Sequence, residues 1–465
     1  MDYNYKFNEF INNIKTKTVT FLGIGVSHID TIKMLAKKNI NITVRDKQDA
    51  TSFNSNLITE LKNLNVKLIL GSNYLENIYE DIVFRTPGMN FNHPLLNQLH
   101  QNGTIVTSEM EVFFDLCPCK IIGITGSDGK TTTSTLISKI LKAQGYTVHL
   151  GGNIGKALLP TIEAISPTDF AVVELSSFQL ISMRKSPDVA VITNVSPNHL
   201  DVHRDMDEYI NAKKNIFIHQ SSLAKTVLNF DNELTRHFAN QTRACINLFS
   251  TKTQILTGTF ADEEKNIFLV KNGIKNFLFN GSDIVIPGNH NIENYLAAIA
   301  ATQSYVDPHI YKQIATSFKG VEHRIEFVKN VNGTKWFNDS IATSPSRTIA
   351  GLKAFKQKVI LIAGGYDKHI PYQPLVPHII ENVSTLILTG DTSENIYQAL
   401  TTNPAYNKNS INIFKVSDLP KAVETAYKIA KNGDVVLFSP ASASYDAYCN
   451  FEERGNHFKQ LVNNL

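Results

Sequence analysis

Cysteine is scarce in this chain of 465 residues, which contains only Cys117, Cys119, Cys245 and Cys449. So few and so scattered cysteines exclude a disulfide-stapled secreted module and a zinc site built from paired Cys-x-x-Cys halves. Long apolar runs are missing too, since no stretch approaches the ~20 residues that cross a bilayer. The N-terminus lacks the basic-then-apolar order of a signal peptide. The sequence therefore predicts a protein of the reducing cytoplasm that is not inserted in a membrane.

An excess of charge of one sign is also absent. The 45 lysine and arginine residues nearly cancel the 42 aspartate and glutamate residues, which leaves a formal net charge of +3. This balance gives no electrostatic reason to bind nucleic acid or an anionic lipid surface, and it favours small-molecule chemistry. Hydrophobic residues at 42% and charged residues at 19% are typical of a folded chain. At about 150 residues per domain, the length predicts three domains.

The N-terminal part predicts one α/β domain over residues 1–106. Its first strand, residues 18–22, runs into a glycine turn at residues 23–25 that opens an amphipathic helix. Asp46 follows this turn by about 20 positions, as an acidic residue does in dinucleotide-binding folds. His28 stands where the third glycine of GxGxxG would be, so a plain dehydrogenase is the weaker interpretation. Further strands are predicted at residues 41–44, 66–70, 81–84 and 104–106.

A second α/β domain is predicted over residues 107–318. A strand at 120–124 leads into a glycine-rich turn and a helix at 130–142. Because strands and helical stretches alternate, the sheet is expected to be mostly parallel. Short alternations with Asn-Gly turns from about 249 to 286 predict a small antiparallel excursion. The remaining predicted elements are strands at 170–173 and 189–192 and helices at 291–304 and 309–318.

A third domain is predicted over residues 319–465. It opens with a hairpin that turns at Asn332-Gly333. Strands of the buried type follow at 359–362, 385–388 and 435–438, with helical segments between them. The predicted fold class is therefore α/β with three domains: Rossmann-like at both ends, and a P-loop-type ATPase with a mostly parallel sheet in the centre.

Residues 123–132, GITGSDGKTT, carry the most distinctive local pattern. In a loop between a strand and a helix, backbone amides hold phosphate oxygens, the lysine reaches the outer phosphates and a threonine hydroxyl binds magnesium. Ile124 occupies the position of the first glycine in the strict GxxxxGK[ST] pattern, so a simple glycine turn is the alternative. The candidate ATP-binding residues are Gly126, Ser127, Asp128, Gly129, Lys130, Thr131 and Thr132.

Polar groups follow the next two strands. Glu174 ends an apolar strand, at the sheet edge where ligands collect in open parallel sheets, and a carboxylate there suits magnesium. His199 lies in the loop after the following strand, and Lys213 lies on the next predicted helix. The alternatives are a solvated strand-end acid, a structural histidine and a solvated helix lysine.

Several weaker candidates lie further along the chain. Asn291 and Asn294 are three positions apart and share one helix face, although asparagine also caps helices. Arg324 follows the linker into the third domain. Polar motifs at predicted strand ends of that domain are NDS at 338–340, GGYDK at 364–368 and SPASAS at 439–444.

In this order, these motifs resemble those of the Mur ligase superfamily, ATP-dependent enzymes that add amino acids to the peptidoglycan precursor. The resemblance covers the whole chain and rests most on ELSSFQL at 174–180, NDS at 338–340 and NFEERG at 450–455. It is strongest toward the branch that joins D-glutamate to UDP-N-acetylmuramoyl-L-alanine. What it implies is a monomeric, ADP-forming amide ligase of cytoplasmic cell-wall synthesis, without nucleic-acid or membrane partners.

The resemblance also assigns roles near ATP. It implies that Lys130, Thr131 and Thr132 hold the phosphates and a magnesium ion, and that Glu174 and His199 bind the two metal ions. Lys213 matches the family lysine that is carbamylated, a change that converts a cation into a carboxylate-like group beside the second magnesium. Positions around the adenine, ribose and phosphates are matched by Asn291, Asn294, Arg324 and Asp339.

Two further sets complete the site that the resemblance implies. The uridine-nucleotide substrate would be held by Val26, Ser27, Asp46, Thr86, Pro87 and Gly88, with Asn153 nearer the muramoyl end. A ligand of that kind also accounts for the incomplete dinucleotide motif. The incoming glutamate would be held by Thr343, Lys368, Ser444 and Phe451, and Lys368 can pair with a carboxylate.

The implied reaction follows from charge. Lys130 and two magnesium ions neutralise the phosphates of ATP, so that the alanyl carboxylate can attack the γ-phosphorus and form an acyl phosphate. The amine of glutamate then attacks the acyl carbon and phosphate leaves. Reacting groups must come within ~3.5 Å of each other, so closure of the third domain on its ligands is expected.

One residue departs from the family pattern. Ile341 stands where better-known members have a lysine, and related sequences with an apolar residue there include both D- and L-glutamate adders. An L-glutamate-adding ligase therefore stays open as an alternative. A folylpolyglutamate synthase is disfavoured by the N-terminal domain. A catalytically silent nucleotide-binding regulator is disfavoured by the presence of Glu174, His199 and Lys213.

Overall fold

The computed structural model describes residues 3–197, 202–368, 370–408 and 410–465. It divides into two compact units, the first made of residues up to 283 with 292–314, the second of residues 284–291 with 315–465. The strands form three sheets, two in the first unit and one in the second. None of the helices in these described ranges is long and apolar enough to cross a membrane.

The first sheet has five parallel strands in the order β3-β2-β1-β4-β5. Its strands are β1 (Thr18–Leu22), β2 (Asn41–Asp46), β3 (Lys67–Leu70), β4 (Ile82–Arg85) and β5 (Ile105–Thr107). The helices of this part are α1 (Tyr5–Ile14), α2 (Val26–Lys37), α3 (Ser55–Asn63), α4 (Pro94–Gln101) and α5 (Glu109–Leu116). Because β1 is central, the carboxyl ends of β1, β2 and β4 lie side by side, and clefts for ligands open there.

The second sheet has nine strands in the order β14-β13-β12-β11-β10-β9-β6-β8-β7. Its strands are β6 (Lys120–Thr125), β7 (Val148–Gly152), β8 (Phe170–Glu174), β9 (Val189–Ile192), β10 (Lys225–Asn229), β11 (Cys245–Ser250), β12 (Gly258–Ala261), β13 (Asn266–Lys271) and β14 (Ile274–Asn280). The helices are α6 (Lys130–Ala143), α7 (Ser177–Leu180), α8 (Met206–Lys214), α9 (Glu233–Phe238), α10 (His290–Thr302) and α11 (Pro308–Ser317). All pairs are parallel except β12-β13 and β13-β14, which confirms the predicted antiparallel excursion.

Helix α5 joins the cores of the two sheets. Its Met110, Phe113 and Phe114 are buried in one hydrophobic cluster with Phe21 of β1 and Val173 of β8. Each fully buried aromatic side chain contributes roughly 1.5–3 kcal/mol relative to an exposed one. The two sheets of this unit therefore share one hydrophobic interior, and side chains of both line common clefts.

The third sheet has six strands in the order β15-β16-β20-β17-β18-β19. They are β15 (Glu326–Val331), β16 (Thr334–Asn338), β17 (Val359–Ala363), β18 (Val383–Leu388), β19 (Asn412–Lys415) and β20 (Val435–Phe438). The helices are α12 (Pro345–Lys353), α13 (Val376–Asn382), α14 (Ser393–Thr401), α15 (Leu419–Ile429) and α16 (Phe451–Asn463). The predicted hairpin is confirmed: β15 and β16 are antiparallel, and Asn332 and Gly333 both have positive φ, as a tight hairpin turn requires.

The predicted fold class is confirmed, since three mostly parallel sheets alternate with helices. Helix α1 was not predicted, although Phe7, Ile11 and Ile14 form its buried face at helical spacing. Strand β7 was also missed because its sequence, VHLGG, has no continuous apolar run. The two boundaries between the three predicted domains, at residues 106/107 and 318/319, stay a prediction.

Candidate functional site

The loop between β6 and α6 has the geometry of a phosphate-binding loop. Gly126 and Gly129 both have positive φ, and Gly129 caps the N-terminus of α6. A Cβ on Gly126 would collide with Thr193 Oγ1, and a Cβ on Gly129 would collide with Asn294 Oδ1. Both positions therefore require glycine, for backbone conformation and for space. The loop presents backbone amides at the positive end of a helix, where anions bind.

The segment that follows the neighbouring strand β9 anchors this loop. Ser127 N donates to Asn194 O at 3.0 Å, and Asp128 N donates to Asn194 Oδ1 at 2.9 Å. Ser127 Oγ donates to Ser196 O at 2.9 Å. These bonds fix the loop before any ligand arrives, which reduces the entropy that a bound phosphate must offset.

The cation of the loop lies over its own carbonyl groups. Lys130 Nζ donates to Gly126 O and Ser127 O, each at 2.9 Å. Thr131 is buried and Thr132 half-buried in the first turn of α6. The structure therefore brings together all seven of the loop residues that the sequence singled out.

Lys213 of α8 reaches the same loop from the other side. Its side chain is 2% exposed, and Nζ donates to Gly126 O at 2.8 Å. Burial, together with the nearby charge of Lys130, lowers the pKa of Lys213 to about 7. The sequence alone suggested a solvated helix lysine as one alternative, and that alternative is wrong.

Glu174 ends β8 beside the loop, and its side chain is 1% exposed. Oε1 accepts a hydrogen bond from Asn153 Nδ2 at 3.0 Å, whereas the buried Oε2 has no hydrogen-bond partner. A buried carboxylate oxygen without a partner is costly unless a cation or a proton occupies that place. The donor set thus fits a magnesium ion, which prefers carboxylate oxygen.

Magnesium ligation by the protein alone is sparse. No group of three or more His, Cys, Asp or Glu side chains suited to a metal ion occurs in the described part of the chain. His199, a predicted ligand, lies outside the described residues. Because Mg²⁺ keeps several waters and binds through one or two carboxylates plus substrate phosphates, such a sparse set is compatible with it.

A cleft of about 360 Å³ opens at the carboxyl ends of β1, β2 and β4. Asp46, Thr86 and Gly88 line it, as three of the predicted uridine-nucleotide residues. The Asp46 carboxylate accepts from Ile24 N at 2.7 Å and from Gln48 N at 2.9 Å, and so holds the glycine turn in place. The predicted Val26 and Ser27 form the first turn of α2, directly after that turn.

A second cleft of about 320 Å³ adjoins the first, because Thr86 and Gly88 line both. Pro87 and Asn153, the remaining predicted residues of this set, line the second cleft. Asn153 also holds Glu174, as described above. The second cleft therefore extends from the first cleft to Asn153, whose side-chain amide holds Glu174.

Sequence reasoning missed three buried charged or ionisable residues in the second cleft. They are His28, Arg85 and Glu109. Burial lowers the pKa of His28 to about 4 and raises that of Glu109 to about 7. Arg85 donates to Phe178 O at 3.1 Å and to Ser182 Oγ at 3.0 Å, so it ties β4 to α7 and to the turn that follows it. None of these three residues belongs to a recognisable sequence motif. Only their positions in or directly after buried strands and helices could have indicated a functional role.

The remaining predicted ATP residues are divided between the two units. In the first unit, Asn294 Oδ1 accepts from Thr133 Oγ1 at 3.3 Å and lies against Gly129. In the second unit, Asn291 Nδ2 donates to Pro287 O at 2.5 Å. Arg324 is half-buried beside Asp339 in that unit, and its charge counteracts the rise in the pKa of Asp339. The structure thus places Asn294 at the phosphate loop, Arg324 near Asp339, and Asn291 in the first turn of α10.

Asp339 lies at the end of β16 with its side chain 3% exposed. Ser439 Oγ donates to Asp339 Oδ2 at 2.7 Å, and Ile325 N donates to Oδ1 at 3.3 Å. Burial raises the pKa of Asp339 to about 7, although the charges of Arg324 and Arg347 oppose the rise. Asp339 therefore joins β16 to β20 and to the segment that contains Arg324.

Three of the four residues predicted to hold the incoming glutamate, Thr343, Lys368 and Ser444, lie on loops after strands β16, β17 and β20. The fourth, Phe451, begins α16. Ser340 Oγ donates to Phe451 O at 2.8 Å, which brings the start of α16 to the loop that carries Thr343. Tyr366 N donates to Ala443 O at 3.0 Å, so the loops that carry Lys368 and Ser444 are adjacent. Lys368 is exposed and Ser444 is buried.

Arg454 fastens these loops together. Its side chain is 3% exposed, and it donates to Ser340 O, Ser442 O and Ala443 O at 3.0, 3.0 and 2.6 Å. No motif reasoning had selected it as more than part of a matching stretch.

Replacing Arg454 by methionine is expected to lower the free energy of unfolding by about 3 kcal/mol or more, because three buried carbonyl groups each lose a hydrogen bond from the guanidinium. Urea unfolding followed by circular dichroism measures this. Lys428→Met, at an exposed site on α15, is the matched control and is expected to change stability by less than about 0.5 kcal/mol. Equal effects of the two substitutions would contradict this assignment.

Comparison with known proteins gives consistent matches. The Mur ligase middle domain matches residues 124–302, and the Mur ligase glutamate ligase domain matches residues 323–442. A UDP-N-acetylmuramoylalanine--D-glutamate ligase of Acetivibrio thermocellus is 52% identical over 466 residues, which cover 99% of each chain. Proteins of the same name from Ruminiclostridium cellulolyticum and Clostridium novyi are 48% and 45% identical, again over 99% of this chain.

Solved structures show the same fold at lower identity. The UDP-N-acetylmuramate-alanine ligase of Thermotoga maritima has a TM-score of 0.57 at 17% identity, covering 96% of this chain and 99% of that one. A pseudomurein peptide ligase type C of Methanothermus fervidus has a TM-score of 0.50 at 20% identity, with coverages of 96% and 99%.

Proposed function

Since the chain belongs to the Mur ligase family of ATP-dependent amide ligases, we propose that it joins D-glutamate to the alanyl carboxylate of UDP-N-acetylmuramoyl-L-alanine. The observation that carries this is the full-length identity of 52% to a ligase of that name. The phosphate loop, the buried carboxylate and the two adjoining clefts in the first unit supply the chemistry that such a reaction needs. The proposed setting is the cytoplasm, where ATP is available, and the proposed acting form is a monomer.

In this proposal the loop of residues 126–129 and the first turn of α6 hold the phosphates of ATP. Lys130 exchanges its bonds to the loop carbonyls for bonds to the phosphate oxygens, which are charged and therefore stronger acceptors. Thr131 supplies a hydroxyl to the metal ion. Asn294 keeps Gly129 in position from behind the loop.

Glu174 would hold one magnesium ion through its unpartnered Oε2, and a carbamate on Lys213 would hold a second one with His199. Bound there, the ions would supply positive charge that offsets the triphosphate and lets a carboxylate approach it. Only a neutral amine reacts with carbon dioxide, and the pKa of about 7 makes much of Lys213 neutral near that pH. A carbamate also replaces an ammonium ion that burial and Lys130 disfavour.

The uridine nucleotide occupies the cleft that contains Asp46, and the muramoyl part occupies the second cleft. This order directs the alanyl carboxylate past Asn153 toward Glu174 and the phosphate loop. Attack of the alanyl carboxylate on the γ-phosphorus breaks the bond between the β- and γ-phosphates, releases ADP and gives an acyl phosphate. The amine of glutamate then attacks the acyl carbon, displaces phosphate, loses a proton and leaves an amide.

The acceptor glutamate binds the loops of the second unit, with one carboxylate on Lys368. Ile341 supplies no charge for the other one. Arg347, in the first turn of α12, donates from its guanidinium to Ile341 O at 3.1 Å and is exposed. We therefore assign Arg347 as the cation that binds the second carboxylate of the acceptor glutamate, because its guanidinium lies beside Ile341.

Arg347→Gln is expected to raise KM for glutamate about 10- to 100-fold with little change in KM for ATP, because a charged hydrogen bond is worth about 1.5–3 kcal/mol. Steady-state phosphate release at varied glutamate measures it. Arg347→Lys should recover part of the loss, while Lys353→Gln at the end of the same helix should behave as wild type. An unchanged KM for glutamate in Arg347→Gln would contradict the assignment of Arg347 to the acceptor carboxylate.

The test of the whole proposal is phosphate release by the purified chain with ATP, magnesium and UDP-N-acetylmuramoyl-L-alanine, with D-glutamate, L-glutamate or no acceptor. Release that depends on D-glutamate is expected. Dependence on L-glutamate would move the enzyme to the L-glutamate-adding branch. No release with either acceptor, while ATP still binds, would overturn the proposal in favour of a silent nucleotide-binding regulator.

A further inference from the structure

The pair Cys117 and Cys119 plays no part in the proposed ligase reaction. The two residues flank Pro118 in the short turn between α5 and β6. Their sulfur atoms are 3.5 Å apart, and a thiol hydrogen bond links them. A disulfide bond is about 2.05 Å long, so the sulfurs need to approach by only about 1.5 Å to join.

The environment of the pair separates an attacking thiol from a resolving one. Cys117 is half-buried, whereas Cys119 is buried and 7% exposed. The hydrogen bond from Cys119 and the charge of Lys185 lower the pKa of Cys117, while burial and the charge of Asp188 oppose this. Cys119, whose proton is shared with Cys117, has its pKa raised.

From this geometry we propose that Cys117 and Cys119 form a reversible redox site, which a disulfide oxidant such as oxidised glutathione converts into an intramolecular disulfide. The Cys117 thiolate attacks one sulfur of the oxidant and releases one thiolate. Cys119 then attacks the Cys117 sulfur of the mixed disulfide, releases the second thiolate and gives its proton to it. Two protein thiols are oxidised to one disulfide, and one small disulfide is reduced to two thiols.

The place of the pair in the fold allows this oxidation without loss of the ligase site. The cysteines precede the amino end of β6, and the phosphate loop follows its carboxyl end. In a reducing compartment such a pair is held as thiols and is oxidised only when the local redox poise changes.

The experiment uses the full chain with Cys245→Ser and Cys449→Ser, which removes the two exposed cysteines and leaves the pair. The protein is equilibrated with oxidised and reduced glutathione over a range of ratios, with a chelator present, and intact mass is measured. The expected result is loss of two hydrogen atoms, reversed by dithiothreitol, and a cross-linked peptide that contains residues 117–119.

A third substitution, Cys119→Ser, provides the matched variant. It is expected to stop at a glutathione adduct on Cys117, because no resolving thiol remains. Cys119→Ala, should the serine not fold, makes the same distinction. Accumulation of the glutathione adduct in the variant that retains both cysteines would overturn the proposal. The proposal would also be overturned if both Cys117 and Cys119 stayed unreacted at a ratio of oxidised to reduced glutathione that fully modifies Cys245 in the wild-type chain.

Discussion

Replacing Lys213 by alanine is expected to reduce kcat for phosphate release by about 10³-fold. The change removes the carbamate that would hold the second magnesium ion, and about 4 kcal/mol of lost charge stabilisation corresponds to that factor. Acetate or propionate, which fit the space vacated by the side chain, are expected to restore part of the activity. Phosphate release at saturating substrates, with and without these acids, measures both effects.

One control variant and two measurements on the wild type accompany this prediction. Lys214→Ala, one position along α8, changes a half-buried lysine that packs on Phe238 and should keep wild-type activity. In the wild type, activity should rise as the pH passes through about 7, because the neutral amine that captures carbon dioxide is the deprotonated form. Added bicarbonate should raise it further at a fixed lower pH. Activity of Lys213→Ala that no carboxylic acid restores, together with bicarbonate-independent wild-type activity, would argue against a carbamate.

Glu174→Gln is expected to reduce phosphate release by about 10²- to 10³-fold, because a neutral amide is a poor ligand for magnesium. The substitution keeps the size of the side chain and an oxygen for the hydrogen bond from Asn153. A binding readout separates this role from folding. Magnesium and ATP should raise the melting temperature of the wild type and should raise that of Glu174→Gln much less.

The matched control for Glu174 is Glu163→Gln, an exposed acid paired with Lys38 in the same unit. Its activity and its magnesium-dependent shift should equal those of the wild type, because an exposed pair contributes at most about 1 kcal/mol. Binding of the uridine nucleotide should be unaffected by either substitution. If magnesium and ATP raised the melting temperature of Glu174→Gln as much as that of the wild type, Glu174 would not be a ligand of the metal ion.

Much of the architecture could be predicted from the sequence, because buried parallel strands are short apolar runs between helical stretches. Strands β1, β9 and β20 match their predicted bounds to the residue, and β12 to β14 form the predicted antiparallel excursion. Strand β7 escaped because two of its five residues are glycine. These two glycines allow close packing, because a Cβ on Gly151 or Gly152 would collide with neighbouring atoms.

The parts of the site that depend on a contiguous sequence motif could be predicted from the sequence. The parts whose properties arise from burial in the folded chain could not. The phosphate loop depends on glycine, lysine and threonine at fixed spacing, so it can be recognised locally. Lys213 could be recognised only by family resemblance, since its lowered pKa results from tertiary burial against Gly126 and Lys130. Glu109 and His28 are special only because the second cleft surrounds them.

The two clefts that share Thr86 and Gly88 also define a route to tight-binding synthetic ligands. Their volumes of about 360 and 320 Å³ are each suited to a fragment-sized molecule. Two weak fragments, one for each cleft, can be joined by a short linker that passes over the shared wall. Once the first fragment is bound, the linker holds the second fragment at a high effective concentration beside its own cleft. Such a linked molecule gains affinity by tethering alone, up to about 10²- to 10⁴-fold, without any new contact to the protein.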